Sequence, residues 1–199
     1  MSYSIDNLQS DCYEGTSCLI NKFGIKDEVI LKELETTITL NIITEYSLNP
    51  LFYSFDVQHY KSIHRYLFGN IYDWAGEYRT VDMSKKGTNF AEAESVEKLM
   101  SNCFKRLNDK NLFQGLKFDD FVDELVDFYC VTNMIHPFRE GNGRTQRLFL
   151  TQLINKNGYD IDFSEIDTDE LMIATIQSAN GIIDYLKDIF KYAIKNKTA

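Results

Sequence analysis

Apolar residues return every three or four positions along most of this chain, which is the spacing of one face of an α-helix. The clearest case lies between residues 26 and 47 and ends at Asn49-Pro50, because a proline disfavours helical geometry in the residue before it. Its apolar positions are Ile30, Leu31, Leu34, Ile38, Ile42 and Ile43. The same spacing predicts helices over 56–69, 93–108, 117–134, about 142–157, 168–178 and 181–196. An all-α fold is therefore expected.

One stretch, between residues 77 and 91, departs from the helical pattern. Tyr78-Arg79-Thr80-Val81 alternates and is β-prone, and the Ser84–Asn89 segment that follows is typical of a turn. We predict a short β-hairpin here. Because an isolated hairpin is marginal in water, it is expected to lie across the helices. With no linker or internal repeat in sight, one compact domain is expected.

Charge and composition narrow the possible partners. The chain has 21 Lys and Arg against 30 Asp and Glu, a net charge of −9, which disfavours direct nucleic-acid binding but allows a small anionic ligand. It has no apolar run of the ~20 residues that span a membrane, no signal-peptide pattern and no CxxC pair among its four cysteines. A cytoplasmic protein with free thiols and no membrane partner is expected.

The segment richest in chemistry runs from His136 to Arg147, with the sequence His-Pro-Phe-Arg-Glu-Gly-Asn-Gly-Arg-Thr-Gln-Arg. It separates two apolar helix patterns. Gly141 and Gly143 allow the backbone to approach a ligand, and the helix that follows directs its unpaired N–H groups at the same place. Arg144 and Arg147 are three positions apart and so share one helical face. Two guanidinium groups beside a helix N-terminus suit a polyphosphate.

Two further side chains in this segment indicate which reaction it could catalyse. Glu140 beside a phosphate is explained if it holds Mg2+, which usually binds through one or two carboxylates together with phosphate oxygens. His136 is the group here that exchanges a proton near neutral pH. The residues alone therefore predict a magnesium–nucleotide site that transfers a phosphorus-containing group to a hydroxyl.

The same segment resembles the signature of the Fic family, HxFx(D/E)GNGRxxR, and matches it at every specified position. Residues 72–79 are similar to the stretch that leads into the Fic β-hairpin flap. Residues 11–16 and 21–25 are similar to the N-terminal piece of bacterial Fic toxins. The resemblance covers about residues 11–195, so a single Fic domain over residues 1–199 is expected.

The resemblance implies a protein adenylyltransferase, or AMPylase, that moves AMP from Mg–ATP to a Ser, Thr or Tyr hydroxyl of a target protein and releases pyrophosphate. His136 would be the catalytic base, Phe138 the structural anchor of the loop and Glu140 the Mg2+ ligand.

The remaining motif residues would bind the nucleotide. The backbone of Gly141, Asn142 and Gly143 would cradle the phosphates, and the Asn142 side chain would contact the α-phosphate. Arg144 and Arg147 would hold the β- and γ-phosphates.

The resemblance also implies where the target and the adenine would lie. The flap would dock an extended segment of the target by strand addition. Its residues are Lys86, Gly87, Thr88, Asn89 and Phe90. Asn180 and Tyr185 are candidates for the adenine pocket.

Many Fic proteins are held inactive by a helix carrying [S/T]xxxE[G/N], whose Glu would pair here with Arg147. The literal match in this chain runs from Ser10 to Gly15 and would supply Glu14, but the segment is not typical of a helix. This favours a toxin inhibited in trans by a small antitoxin that supplies the Glu, with inhibition in cis kept open.

Several alternatives stay open on the sequence. Glu140, Arg144 and Arg147 could form a purely structural ion-pair network. The chain could be a Fic-fold module that only binds nucleotide or antitoxin. It could also be a kinase-like, phosphocholine-transferring or de-AMPylating member; the intact Gly143-Arg144 pair favours AMP transfer. His59 and His64 are expected to be structural or surface residues.

Overall fold

The computed structural model describes residues 4–5, 11–48, 54–85 and 87–197. Within these ranges seven α-helices lie where the apolar spacing predicts them. They are α1 (Glu28–Leu48), α2 (Val57–Phe68), α3 (Val96–Asp109), α4 (Phe118–Ile135), α5 (Asn142–Lys156), α6 (Thr168–Ala179) and α7 (Asp184–Ala193). The expected all-α fold with a short hairpin is confirmed.

Side-chain caps fix where three of these helices begin. Asp27 accepts the N–H groups of Val29 and Ile30 at 2.8 and 3.1 Å, ahead of α1. The Asp56 carboxylate accepts the His59 N–H at 2.8 Å, ahead of α2. Asp167 accepts the N–H groups of Asp169 and Glu170 at 2.9 Å, ahead of α6. Each cap satisfies backbone donors that the first turn of a helix leaves unpaired.

The core lies where α5 packs against both α2 and α4. Phe149 on α5 is fully buried at its centre, and its ring lies 5.4 Å from Tyr60, 5.3 Å from Phe104 and 5.6 Å from Phe128. These aromatic contacts join four helices around one point. They place the start of α5, where the motif lies, on a rigid support.

The predicted hairpin consists of β2 (Met83–Lys85) and β3 (Thr88–Asn89), paired antiparallel with Ser84 opposite Asn89. A third strand, β1 (Ser4–Ile5), pairs antiparallel with β2 on its other side, with Ser4 opposite Ser84 and Ile5 opposite Met83. Strand β1 therefore covers one edge of the hairpin. Lys86, one of the predicted flap residues, lies outside the described residues.

Three details of the predicted elements are wrong. The Ser84–Asn89 segment, predicted as a turn, instead supplies residues of both β2 and β3, because these strands pair with each other. Residues 78–81 form no strand, because the Arg79 N–H donates to the Pro137 carbonyl at 2.9 Å and its side chain is buried among other carbonyls. The last helix does not span 181–196, since α7 covers only Asp184–Ala193. Lys195–Asn196 instead form β5, paired with β4 (Tyr159–Asp160). Among the described residues, no helix is both long enough and apolar enough to cross a membrane.

Candidate active site

His136 ends α4 in a left-handed backbone conformation, with φ 48° and ψ 62°. A non-glycine residue adopts this conformation only where its surroundings stabilise it. Here the His136 N–H donates to the Thr132 carbonyl at 3.1 Å, and Arg79 Nε donates to the His136 carbonyl at 2.8 Å. The left-handed turn directs the chain out of the helix into the 136–147 motif.

The His136 imidazole is buried against the hairpin. Its ring stacks on Phe90 with 3.8 Å between centroids. Burial lowers the pKa of His136 to about 3, and the positive charges of Lys85 and Arg79 act in the same direction. Nδ1 lies 3.3 Å from the Asn133 carbonyl, which can only accept, so Nδ1 carries the proton and Nε2 the lone pair. The imidazole is thus a neutral base at physiological pH.

Phe138 and Asn142 close the loop between the two helices. Phe138 is fully buried and stacks on His64 at 3.8 Å between ring centroids. Asn142 Oδ1 accepts the Phe138 N–H at 2.8 Å, and Asn142 Nδ2 donates to the Phe138 carbonyl at 2.6 Å. The Asn142 side chain therefore holds the loop together, and a contact with an α-phosphate would replace one of these bonds.

The two motif glycines leave room for different neighbours. Gly141 has φ 79°, and a Cβ there would lie 2.2 Å from the Phe68 ring. A Cβ at Gly143 would lie 3.1 Å from a terminal nitrogen of Arg147. Gly141 thus permits the turn itself, and Gly143 leaves space for the Arg147 guanidinium at the N-terminus of α5.

The two motif arginines have different surroundings. Arg144 forms an ion pair with Glu35 on α1 and lies 3.6 Å from Glu140. Arg147 makes no ion pair within the described part of the chain. Burial and the positive charge of Arg144 both lower the pKa of its guanidinium. A partly buried cation without an acid favours an anionic ligand. The structural ion-pair network expected as an alternative therefore includes Arg144 and leaves out Arg147.

Glu140 is suited to be one ligand of a magnesium ion. Its Oε1 accepts the Gly141 N–H at 2.8 Å, and its side chain is 31% exposed at the loop. In the described residues no group of three or more His, Cys, Asp or Glu could hold a metal together. Mg2+ here would therefore depend on ligand phosphate oxygens beside one carboxylate, which is its usual mode at nucleotide sites.

His64 supports the motif from α2 and was not predicted to do so. It is fully buried, accepts the Gly76 N–H at Nδ1 at 2.8 Å and so donates from Nε2 to the Glu140 carbonyl at 2.9 Å. Burial lowers the pKa of His64 to about 4. Its position on the apolar face of α2, one residue after Ile63, was the available signal.

Arg79 is a second supporting residue that sequence reasoning missed. Its guanidinium donates to the Val81 carbonyl at 2.6 Å and to the Ile135 carbonyl at 3.2 Å. It also donates to the carbonyls of Ala91 and His136. It therefore joins the hairpin to the C-terminal end of α4. The only signal was its place within the stretch that resembles the Fic flap.

The remaining predicted site residues are those of the flap, which lies beside the motif, and the two candidates for the adenine pocket. Gly87 and Asn89 are exposed, while Thr88 and Phe90 are half-buried. Asn180 bonds the Ile176 carbonyl at 3.0 Å, and Tyr185 is 37% exposed at the start of α7. No contact recorded among the described residues joins Asn180 or Tyr185 to the 136–147 motif.

The match to the inhibitory sequence is not part of a helix. Its first residue, Ser10, lies outside the described residues. Cys12 forms a β-bridge with Leu19, and Glu14 sits exposed in the turn between them. Arg139, within the motif, forms an ion pair with Asp11. This segment therefore packs on the motif through Asp11 while Glu14 faces solvent.

Comparison with known proteins places this fold and motif in a family. Residues 54–154 match the Fic/DOC family. Protein adenylyltransferase VbhT of Bartonella schoenbuchensis is 33% identical over 88% of this chain, which spans 37% of that protein. The probable protein adenylyltransferase Fic of Salmonella typhimurium is 32% identical, with 92% of this chain covering 90% of that protein. The chain belongs to the Fic/DOC family.

Solved structures agree in fold. The BepC protein of Bartonella tribocorum, a VirB-translocated effector solved with bound AMPPNP, has a TM-score of 0.89 and 30% identity, covering 96% of this chain and 98% of that one. An N-terminal Fic domain from Bartonella quintana, solved with bound ADP, has a TM-score of 0.89 and 29% identity over 94% and 95% of the two chains. The expected Fic fold is confirmed.

Proposed function

We propose that this protein is an adenylyltransferase that moves AMP from Mg–ATP to a hydroxyl group of a target protein. The observation that carries the proposal is a neutral, buried base, His136, close in the chain to a guanidinium on α5, Arg147, that makes no ion pair within the described residues. Relatives named protein adenylyltransferase, and similar Fic folds solved with AMPPNP and ADP, support the same activity.

In the proposed reaction the hydroxyl oxygen of a Ser, Thr or Tyr attacks the α-phosphorus of ATP. The new oxygen–phosphorus bond forms as the bond to the bridging oxygen breaks, and pyrophosphate leaves. Nε2 of His136 takes the hydroxyl proton, since Nδ1 already carries one. Because the imidazole is neutral at pH 7, the lone pair on Nε2 is available to take this proton.

The phosphates would lie at the N-terminus of α5. The backbone of Gly141, Asn142 and Gly143 would cradle them, with Arg144 and Arg147 on the outer phosphates. Glu140 would hold Mg2+ together with phosphate oxygens, and the bound ion supplies neutralisation of phosphate charge.

The hairpin would dock an extended segment of the target, and Asn180 and Tyr185 remain candidates for the adenine pocket. We further propose a toxin controlled by a small antitoxin, because Glu14 is exposed and Arg147 has no described acid partner. A cytoplasmic location fits this role, since ATP and a reducing environment for four free thiols are found there.

The test uses purified protein, bacterial lysate, magnesium and ATP labelled on either the α- or the γ-phosphate. We expect a labelled protein band from α-labelled ATP only, lost in His136→Ala and weakened in Arg147→Ala. Arg106→Ala, which removes a half-exposed arginine of α3, is the matched control and should keep wild-type labelling. Label from γ-labelled ATP alone would make the protein a kinase-like member, and binding without transfer would make it a nucleotide-binding module.

A further inference from the structure

A buried carboxylate outside the motif contacts the proposed phosphate site. Glu35 lies in the middle of α1, more than a hundred residues before the motif, and is only 5% exposed. The Tyr72 hydroxyl donates to its Oε2 at 2.5 Å, and Arg144 pairs with its Oε1. Both carboxylate oxygens are therefore engaged, as a buried charge requires.

Arg144 is held from several directions around this carboxylate. Thr39, one turn further along α1, accepts from Arg144 at 3.2 Å and donates its own hydroxyl to the Glu35 carbonyl at 2.8 Å. The Arg144 guanidinium also lies over the Phe68 ring, 4.7 Å from its centroid. An arginine side chain normally has many rotamers, and these contacts leave Arg144 with one arrangement.

From these contacts we infer that Glu35 is a positioning residue that orients Arg144 toward the nucleotide phosphates. The inference rests on the proposed function. Glu35 would not touch ATP; it would act by removing the conformational freedom that Arg144 would otherwise lose on binding. Among the described residues Arg147 has no equivalent acid. The two arginines would therefore differ, with Arg144 fixed in advance and Arg147 open to the ligand.

The experiment measures the Kd of Mg–ATP by calorimetric titration of the full chain in a double-mutant cycle. Glu35→Gln keeps the size of the side chain and removes its charge. We expect it to weaken ATP binding about tenfold, the loss that freeing one long side chain represents. In an Arg144→Ala background the same change should have almost no further effect, because the group that Glu35 orients is absent.

Three variants complete the design. Glu33→Gln changes an exposed glutamate on the same helix and should bind ATP like the wild type. Tyr72→Phe removes one hydrogen bond from Glu35 and should weaken binding less than Glu35→Gln. Thr39→Val keeps the Glu35 charge and removes another contact of Arg144. Should Glu35→Gln fail to fold, Thr39→Val tests whether Arg144 is held in advance: we expect weaker ATP binding, and no further loss in the Arg144→Ala background.

Several results would overturn the inference. Unchanged or tighter ATP binding in Glu35→Gln would mean that Glu35 has no role or competes with the phosphates for Arg144. An equal loss with and without Arg144 would mean a general effect on the fold. Failure of the proposed function is recognised separately: wild-type protein that binds ATP but transfers no AMP would contradict the reaction and leave this inference standing, whereas wild-type protein that binds no ATP would refute both.

Discussion

Gly141 is required in the motif for two reasons: its left-handed backbone conformation, and the close approach of the Phe68 ring. We expect Gly141→Ala to lower the free energy of unfolding by about 2–5 kcal/mol and to abolish ATP binding. Left-handed geometry costs an alanine about 1–2 kcal/mol, and the overlap of its Cβ with the Phe68 ring adds about 1–3 kcal/mol. Urea denaturation and ATP titration measure the two effects.

The opposite end of α5 offers a matched control for this change. Gly158 has φ 85°, and a Cβ there would meet nothing within 4 Å. Gly158→Ala should therefore show only the backbone cost of about 1–2 kcal/mol and keep normal ATP binding. Equal destabilisation in the two variants would contradict a packing role for Gly141.

At the residue scale, the sequence predicts which side chains form the candidate site better than it predicts what those side chains contact. The identities of His136, Glu140, Arg144 and Arg147 suggest a base, a metal ligand and phosphate donors because each side chain has a limited chemistry. The pairing of Arg144 with Glu35 joins residues far apart in the chain, and no local pattern records it. The engagement of Asn142 with the Phe138 backbone is equally invisible, since an amide serves a loop or a ligand equally well.

At the scale of elements, the edges of the hairpin decide where a target segment could dock. Target docking by strand addition needs an edge with unpaired backbone groups. The outer edge of β2 is covered by β1, and beyond β3 the Ala91 N–H donates to the Met134 carbonyl at 3.0 Å. A target segment that adds to β2 would therefore have to replace β1.

This competition predicts the effect of a proline in β1. Ser4→Pro should speed modification of the target about fivefold while leaving ATP binding unchanged. The Phe90 N–H donates to the Met83 carbonyl, so Met83 faces β3, and Ser84, opposite Ser4, faces β1. A proline at Ser4 has no N–H for the ladder, and one net hydrogen bond contributes about 1 kcal/mol. The rate of label transfer from α-labelled ATP measures the effect, with Ser4→Ala, which keeps the backbone N–H, as the control. A slower or unchanged rate in Ser4→Pro would mean that β1 does not compete with the target.

The elements differ in how well the sequence predicts them. Helices follow from a periodicity that each helix carries within itself, and all seven lie near their predicted ranges. The short strands depend on pairing with distant segments. Residues 78–81 alternate like a strand, yet Arg79 is used to bond carbonyls of α4 and the hairpin. Lys195–Asn196 continue a helical pattern, yet pair with Tyr159–Asp160.

At the scale of the whole molecule, the folded state keeps its histidines neutral. Burial lowers the pKa of His59, lowers that of His64 to about 4 and lowers that of His136 to about 3. In the unfolded chain each returns to an ordinary pKa of about 6.5. Below pH 6.5 the unfolded state therefore binds protons that the folded state excludes, and acid shifts the equilibrium toward unfolding.

We expect the free energy of unfolding to fall by roughly 4 kcal/mol between pH 7 and pH 5, about half from His64 and half from His136. The net charge of −9 opposes this, since acid relieves repulsion, so urea denaturation is best measured at about 0.15 M salt, where surface charges are screened. The His136→Ala variant lacks one of these two groups, so its free energy of unfolding should fall by only about 2 kcal/mol between pH 7 and pH 5. Equal stability of the wild type at the two pH values would contradict neutral burial of both histidines, and an unchanged slope in His136→Ala would contradict it for the proposed base.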